Sequence, residues 1–309
     1  MATEVKSTID RTVPLGLKAL RMWFALESRV APASAERRAA RLFVTPPRHK
    51  PRSAGATPIE SHPERVDLLV RDSNVNVWTT TIGSGPTVLL LHGWGGSGND
   101  MMPIASAFAA AGFRSVIIDM PGHGRSPGRE SSLVKFLSAI RAVTRTLGAP
   151  DLVVGHSFGG SAAVFSIAEL ELPVRGAVLV APAPGPAYYL DRFARTVGLP
   201  AERTDGMVRN LVIRVGRSME SLDTLTAATR ATHVPALILH DPSDREVPFA
   251  YAEQMASSWA ASRLVPTTSG GHRRILRDPE VIDAALSFAA DIFTVSSRLN
   301  HVQAERGSA

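Results

Sequence analysis

Short apolar runs alternate with stretches of helical pattern along most of this chain. Four runs rich in Val, Leu and Ile have the length of buried strands, and they lie at 87–91, 115–118, 152–154 and 236–239. Two more strands are predicted near 66–71 and 75–82, before the first helix of this region, as an antiparallel start would have them. The alternation predicts an α/β fold with a mostly parallel, doubly wound sheet that helices cover on both faces.

A serine stands on a glycine-flanked turn directly after the run at 152–154. The segment reads Gly155-His156-Ser157-Phe158-Gly159, and the small and apolar residues that follow predict a helix to about residue 170. In so tight a turn, Gly155 and Gly159 let neighbouring segments approach without a Cβ clash. The helix N-terminus supplies free N–H groups and partial positive charge for an oxyanion. The pattern indicates that Ser157 is a nucleophile, and the alternative is a purely structural turn.

The run at 87–91 ends in a second loop of small side chains, with the sequence His92-Gly93-Trp94-Gly95-Gly96-Ser97. Such a loop can turn its backbone N–H groups toward a ligand. In an acyl-transfer enzyme, Trp94 would supply one oxyanion-hole N–H and Phe158 the other. A phosphate-binding loop is the competing interpretation, but the Gly-Lys-Ser/Thr ending of such loops is missing here.

The strand at 115–118 runs into a polar turn that contains Asp119 and His123. Both residue types occur in active sites. Side chains in turns more often hydrogen-bond to the nearby backbone. We therefore expect Asp119 and His123 to brace the loop.

The remaining acid and base of a catalytic triad follow in chain order. Three acids, Asp241, Asp244 and Glu246, come after the strand at 236–239. Asp244 is favoured as the partner of a catalytic imidazole because it lies past the Pro242 turn, and Asp241 is the runner-up. His272 follows a short strand and two glycines. Histidine titrates near neutral pH and can both accept and return the proton of a serine, although a lone loop histidine can also be an ordinary surface residue.

These segments together resemble the α/β-hydrolase superfamily, in its serine esterase and lipase-like branch. The resemblance covers roughly residues 64 to 295 and rests on His92–Ser97, Asp119–Ser126, Gly155–Gly160, Asp244 and Gly271-His272. It implies an α/β-hydrolase fold with Ser157 as nucleophile, His272 as base and Asp244 as its orienting acid, and with Trp94 and Phe158 as oxyanion donors. Because the elbow carries serine, the branches with an aspartate nucleophile, the haloalkane dehalogenases and epoxide hydrolases, are disfavoured. Relatives often have glycine where this chain has Asp241.

Length and charge limit the domain organisation that the chain can have. Its 309 residues are enough for one α/β domain with additions. Of the net charge of +6, residues 1–52 carry +7 and the rest −1, so the predicted catalytic domain has no nucleic-acid footprint. The chain has no cysteine and therefore no disulfide or thiolate chemistry. We predict a basic N-terminal helical extension and linker at 1–60, a hydrolase domain at 61–295 and a C-terminal tail at 296–309.

The extension contains a basic segment with apolar and aromatic residues, at 12–30, followed by a linker at 46–56. A helix there could lie on an anionic membrane surface. The favoured interpretation is that Trp23, Phe24 and Leu26 pack on the hydrolase domain or on another subunit. The N-terminus lacks a signal-peptide pattern, and no apolar run is long enough to span a bilayer. We expect a cytoplasmic protein. The alternative is a peripheral protein at the inner face of a membrane.

About 50 residues separate the strand that ends near Pro182 from the one that starts near Pro235. A minimal α/β unit needs only one helix here, so we predict a small helical cap insertion at 183–232. Its aromatic residues Tyr188, Tyr189 and Phe193 are predicted to line the substrate pocket.

The pattern as a whole predicts a serine hydrolase that cleaves a carboxylic ester through an acyl-enzyme, with no cofactor or metal and no nucleic acid as partner. The same triad on this fold also serves lactonases, thioesterases and carbon-carbon bond hydrolases. A catalytically idle, ligand-binding relative is the alternative from another class, and the intact set of three triad residues argues against it.

Overall fold

An eight-stranded sheet is built from the apolar runs of the chain. The computed structural model describes residues 14–47, 66–72, 75–268 and 270–307. The strands are β1 (Val66–Asp72), β2 (Val75–Ile82), β3 (Thr87–Leu91), β4 (Arg114–Ile118), β5 (Leu152–His156), β6 (Gly176–Val180), β7 (Ala236–His240) and β8 (Ser262–Pro266). Their order in the sheet is β1-β2-β4-β3-β5-β6-β7-β8.

The sheet is antiparallel only at its first edge. The β1–β2 and β2–β4 pairs are antiparallel, and the pairs from β4 through β8 are parallel. The central strands β5, β6 and β7 are buried along their whole length. Burial on both faces explains why these strands are continuous apolar runs without alternation. The predicted α/β fold with an antiparallel start is confirmed.

The helices that connect strands of the sheet unit are α3 (Gly98–Ala110), α4 (Leu133–Leu147), α5 (Phe158–Leu170), α8 (Thr224–Ala228) and α9 (Phe249–Ser258), and α10 (Pro279–Gly307) follows the last strand. Serines begin two of them. A capping box of Ser97 with Asp100 begins α3, and the Ser132 side chain accepts a hydrogen bond from the backbone N–H of Lys135 at the start of α4. These caps set where each loop after a strand ends, and those loops carry the predicted site.

Four further helices come from two distant parts of the chain: α1 (Leu15–Val30), α2 (Pro32–Phe43), α6 (Leu190–Val197) and α7 (Thr204–Val215). The chain divides into two compact units. The helical unit is Met1–Phe43 with Tyr188–Gly216, and the sheet unit is Val44–Ala187 with Arg217–Ala309. The segment predicted as a cap insertion contains α6, α7 and α8, and of these α6 and α7 belong to the same unit as the N-terminal helices. From residue 48 onward, the predicted linker lies outside the described residues.

Packing inside the helical unit uses both charged and aromatic side chains. The rings of Phe43 and Phe193 meet edge to face with centroids 5.2 Å apart. The Arg21 Nε donates to the carbonyl of Thr196 at 3.0 Å. The Glu36 carboxylate lies against Gly206, where a Cβ would overlap it. These contacts join segments that are more than 140 residues apart in sequence.

Trp23, Phe24 and Leu26, which were predicted to pack on the hydrolase domain or on another subunit, differ in burial within this chain. Phe24 is fully buried, whereas Trp23 and Leu26 are exposed. The three residues are neighbours in sequence but point around the helix in different directions, because each residue advances about 100°. Only one face of α1 is covered in this unit.

Candidate active site

Ser157 occupies the turn between β5 and α5. Its backbone has φ 53° and ψ −119°, a conformation that residues with a side chain seldom adopt. Backbone hydrogen bonds hold it: the Ser157 N–H donates to Val180 O at 2.9 Å, and the N–H groups of Gly160 and Ala183 donate to Ser157 O at 2.8 and 3.0 Å. The neighbouring strand β6 and the first turn of α5 thus fix the position of the serine.

The two glycines that flank this turn are required by close approach, as predicted. A Cβ on Gly159 would overlap the carbonyl oxygen of Leu91 and lie 2.6 Å from that of His92. A Cβ on Gly155 would overlap the carbonyl of Gly159. The hydrogen at Gly159 lets the turn pack against the end of β3, and the hydrogen at Gly155 lets the turn close on itself.

A continuous hydrogen-bonded relay links the serine, His272 and Asp244. The Ser157 Oγ lies 2.8 Å from His272 Nε2, and His272 Nδ1 lies 2.7 Å from Asp244 Oδ2. An ionised carboxylate can only accept, so Nδ1 carries the proton of the neutral imidazole. Nε2 is then free to accept the proton of the serine hydroxyl. The three residues come from loops after β5, β7 and β8, which end at the same edge of the sheet.

The Asp244 carboxylate is buried and fully hydrogen-bonded. Its Oδ1 accepts from the backbone N–H groups of Glu246 at 2.7 Å and Val247 at 3.1 Å. Burial raises the pKa of Asp244, but the hydrogen bonds from His240 and His272 and the neighbouring charge outweigh it, and the pKa lies far below its usual value. Asp244 is thus an anion throughout the range in which an imidazole titrates.

The carboxylate of Asp241, the runner-up acid, binds the backbone of the loop that carries His272. Its Oδ2 accepts from the Gly271 N–H at 2.8 Å, and its Oδ1 accepts from the Ser243 N–H at 2.7 Å. Burial raises the pKa of Asp241, but a hydrogen bond from the Ser243 hydroxyl and then the backbone N–H bonds outweigh it, so the pKa is lowered. The structure therefore brings Asp244, and not Asp241, to the imidazole of His272. The third acid, Glu246, is half exposed and lies 3.9 Å from His272 Nε2.

Two histidines that the sequence patterns did not single out support the relay. His156 Nε2 donates to the His272 carbonyl at 2.8 Å, and the two rings lie 4.9 Å apart. His240 Nε2 donates to Val247 O at 3.1 Å and lies 3.4 Å from Asp244 Oδ2. Each is the last residue of a buried apolar strand, β5 or β7, and a polar residue at that point was the available signal.

His156 stays neutral beside the catalytic imidazole. Burial, and secondly the proximity of His272, lower the pKa of His156 to about 3. A positive charge on His272 would therefore not face a second imidazolium. The His272 loop is anchored at two backbone groups. His156 binds the His272 carbonyl, and Asp241 binds the Gly271 N–H.

Trp94 and Phe158, the predicted oxyanion donors, flank the serine. A Cβ on Gly93 would lie 3.0 Å from the Cβ of Ser157, so the loop after β3 lies directly against the nucleophile turn. Within the part of the chain that the structure describes, no hydrogen bond uses the N–H of Trp94 or of Phe158. Their rings meet edge to face at 5.5 Å. Both N–H groups remain available, and their role as oxyanion donors stays a prediction.

Asp119 and His123 brace their loop, as predicted. Asp119 accepts from the Gly98 N–H at 2.7 Å and pairs with Arg125 Nε at 3.2 Å. His123 Nδ1 donates to the carbonyl of Pro121 at 3.0 Å, and burial, then the proximity of His92, lowers its pKa to about 3. Neither side chain takes part in the relay.

The predicted pocket residues Tyr188, Tyr189 and Phe193 all belong to the helical unit. The two tyrosine rings meet edge to face at 5.1 Å, and Phe193 packs on Phe43. Their role in lining a substrate pocket stays a prediction. Among the described residues, no group of three or more acidic, histidine or cysteine side chains could hold a metal ion.

Comparison with known proteins places this geometry in a family. The family model described as the alpha/beta hydrolase fold matches residues 86–210. A pimeloyl-(acyl-carrier protein) methyl ester esterase from Chromobacterium violaceum is 28% identical over 192 residues, which is 62% of this chain and 69% of that protein. The AB hydrolase superfamily protein YisY from Bacillus subtilis is 23% identical over 258 residues, 70% of this chain and 96% of that protein.

A solved structure agrees on the fold. An esterase from Exiguobacterium antarcticum superposes with a TM-score of 0.56 at 20% identity, over 71% of this chain and 97% of that chain. The mostly parallel eight-stranded sheet, the serine on the turn after β5 and the sequence matches point the same way. The chain has the α/β-hydrolase fold, and it is an enzyme with esterase relatives.

Proposed function

We propose that this protein is a serine hydrolase that cleaves a carboxylic ester through an acyl-enzyme on Ser157. The observation that carries the proposal is the relay from the Ser157 hydroxyl through His272 to Asp244, with links of 2.8 and 2.7 Å. A hydroxyl alone is a weak nucleophile at neutral pH. An adjacent base that is itself oriented by a carboxylate activates it.

In the first half of the reaction, His272 Nε2 takes the proton of Ser157 as Oγ attacks the ester carbonyl carbon. The carbonyl oxygen becomes an oxyanion, which the N–H groups of Trp94 and Phe158 stabilise. The carbon–oxygen bond to the alcohol then breaks. His272 returns the proton to the leaving alkoxide, and the acyl group stays on Ser157.

In the second half, water replaces the alcohol. His272 takes a proton from the water as its oxygen attacks the acyl carbon, a second oxyanion forms, and the bond to Oγ breaks. The proton on His272 passes to Ser157 Oγ, which leaves a free carboxylic acid and the original enzyme. In both halves the anionic Asp244 stabilises the imidazolium, and the neutral His156 adds no repulsion.

The relatives support an acyl ester as the substrate class. The Chromobacterium violaceum protein is named a methyl ester esterase, and the Exiguobacterium antarcticum structure is named an esterase. We propose the ester bond as the reactive group, and the series of acyl lengths in the substrate panel described below identifies the acyl chain.

Labelling with a fluorophosphonate tests the nucleophile. We expect one covalent adduct on Ser157, and we expect Ser157→Ala to lose both the adduct and at least about 10³-fold of the turnover of p-nitrophenyl esters. Retention of more than about a tenth of the activity would contradict the assignment of Ser157.

A substrate panel separates ester cleavage from the other reactions of the same triad. Esters of increasing acyl length, a thioester, a lactone and a vinylogous diketone are compared by kcat/KM. The proposal expects the esters to give the highest values. A higher value for another class would move the function to a thioesterase, a lactonase or a carbon-carbon bond hydrolase, and a folded protein without labelling would indicate a ligand-binding relative.

A further inference from the structure

Helix α1 has two apolar faces, and the described residues cover one of them. On the covered face Phe24 is fully buried, and α1 packs against α2 and α6 of the helical unit. The other face carries five large apolar side chains that are exposed over 55 to 83% of their surface: Leu15, Met22, Trp23, Leu26 and Val30.

These residues form one continuous stripe. Leu15, Ala19, Met22, Leu26 and Val30 are all exposed and follow each other at steps of three or four residues, which places them along one line of a helix, and Trp23 borders that line. At 1.5 Å per residue, the line from Leu15 to Val30 is about 22 Å long. Single exposed apolar residues are common on protein surfaces, but a stripe of this length is typical of an interaction site. We call it the exposed stripe.

The charges beside the exposed stripe are all positive. Lys18 and Arg29 are exposed and lie on the same edge of it, at helical steps from Leu15 and Met22. The acidic residue of α1 is Glu27, which is buried and bound by Arg38 at 2.9 Å and by Ser34 at 2.8 Å. The exposed face therefore presents apolar surface and cations without a free carboxylate.

Trp23 is held at the border of the exposed stripe. Its Nε1 donates to Glu27 Oε2 at 2.9 Å, and the Arg38 guanidinium lies 5.6 Å from the ring centroid. Trp23 as a whole is 55% exposed. A tryptophan with its polar atom satisfied on the protein side and its ring outward is suited to the boundary between lipid headgroups and acyl chains.

We propose that α1 binds an anionic lipid surface, with the exposed stripe in the boundary layer and with Lys18 and Arg29 at the headgroups. A helix that is amphipathic in this way lies in the plane of the interface. None of the helices in the described ranges is long and apolar enough to cross a membrane. A second copy of this chain fits less well, because it would bring cations against cations with no exposed carboxylate of α1 to pair them.

Vesicle flotation with the full chain tests this surface. We expect binding to vesicles of phosphatidylcholine with roughly a third phosphatidylserine, and at least about tenfold weaker binding to phosphatidylcholine alone. Binding to the anionic vesicles should weaken as the salt concentration rises. Equal binding to both kinds of vesicle, or none to either, overturns the proposal.

Paired variants distinguish binding through α1 from nonspecific hydrophobic binding. Met22→Ser with Leu26→Ser should lower vesicle affinity at least about tenfold. Ile213→Ser is the matched control, because Ile213 is an apolar residue on α7 that is 81% exposed and should leave the affinity unchanged. An equal loss in the control, or unchanged affinity in the α1 variant, contradicts the proposal.

The charges are tested in the same way. Lys18→Glu with Arg29→Glu should reduce binding to anionic vesicles by about tenfold or more, while Arg129→Glu with Arg141→Glu, two exposed arginines of the sheet unit, should not. Analytical ultracentrifugation without lipid tests whether a second copy of this chain occupies the exposed stripe instead. A dimer that Met22→Ser with Leu26→Ser dissociates would assign the exposed stripe to a second copy and overturn the lipid proposal.

Discussion

At the scale of single residues, Asp241 and Asp244 show how two similar side chains acquire different tasks. They are three positions apart, and both carboxylates are held in ionised form by hydrogen bonds. Asp244 touches the imidazole of His272, whereas Asp241 touches the peptide N–H of Gly271. One orients the imidazole ring directly, and the other orients the loop that carries it.

Asp244→Asn and Asp241→Asn should therefore differ in their effect on turnover. An amide at position 244 can donate to Nδ1 and favour the wrong imidazole tautomer, so we expect kcat to fall by about 10³- to 10⁴-fold. Asp241→Asn removes one of two backbone contacts and should cost about 10- to 100-fold through a displaced loop. Steady-state kinetics on one p-nitrophenyl ester measures both, and the reverse order would make Asp241 the triad acid.

Buried histidines make the stability of the protein depend on pH. Burial is the largest cause that lowers the pKa values of His92, His123 and His156, and it lowers those of His123 and His156 to about 3. In the unfolded chain they titrate near 6.5. Between these values the unfolded chain binds more protons than the native one, so the free energy of unfolding falls as the pH falls from about 6.5 toward 3.

Denaturant titrations from pH 7.5 to 4.5 measure this loss. Each such histidine contributes up to about 1.4 kcal/mol per pH unit, so His123→Asn should make the slope shallower by up to that amount. The exposed His233→Asn is the control and should leave the slope as it is. An unchanged slope in His123→Asn would mean that this ring takes up its proton in the native state as well.

At the scale of elements, the site is made by loops that follow strands of one sheet and by how closely the backbones approach. The end of β3 lies so near the first turn of α5 that Gly159 has no room for a Cβ. This contact sets the distance between the loop of Trp94 and the serine. The geometry of the site therefore depends on main-chain packing as much as on the triad side chains.

Gly159→Ala and Gly160→Ala form a matched pair for this contact. Both positions are in α5, where alanine is the better helix former by about 1 kcal/mol. At 159 the new methyl overlaps main-chain oxygen, and we expect a loss of at least about 3 kcal/mol in the free energy of unfolding. At 160 it lies 3.1 Å from Pro182, and we expect a change of less than about 1 kcal/mol. Chemical denaturation compares them, and equal losses would show that the helix is displaced as a whole.

At the scale of the whole molecule, the N-terminal extension and part of the insertion form one helical unit. Their contacts include the aromatic pair of Phe43 and Phe193 and the hydrogen bond from Arg21 to Thr196 O. Residues from the two ends of this unit depend on each other for burial. The N-terminal helices thus form one folded unit with part of the insertion.

Phe43→Ala should loosen α6, although α6 lies some 150 residues away in sequence. Loss of a half-buried aromatic contact costs about 1–3 kcal/mol, which hydrogen–deuterium exchange would record as faster exchange in both α2 and α6. Ile213→Ala, at an exposed position of α7, should change stability by no more than about 0.5 kcal/mol. Faster exchange in α2 alone would show that the two segments are stabilised separately.

Much of the fold and the candidate site was predictable from local patterns. The strands β3 to β7 are apolar runs bounded by polar turns, and Ser157 stands between two glycines directly after one of them. Asp244 and His272 follow in the order of a known family. These features can be predicted from the sequence because each depends on a few neighbouring residues.

Other features depend on which distant segments meet. His156 and His240 anchor the relay, yet in sequence they are only the polar ends of two strands. The same holds for α1, where the sequence shows apolar residues on all sides but does not indicate which side is covered. Packing of α6 and α2 on the helix decided that Phe24 is buried and that Trp23 and Leu26 are not.

The sequence by itself determined the strands, the nucleophile turn and the order of serine, acid and base, because backbone preferences and apolar periodicity act over short stretches of chain. Only the tertiary structure decided which acid meets His272, what anchors its loop and which face of α1 remains free. The orientation of Asp244 follows from the conformation of the loop after β7, in which two backbone N–H groups bind its carboxylate. The free face of α1 follows from contacts between helices far apart in sequence. Contacts of that range leave no periodic signal in the chain.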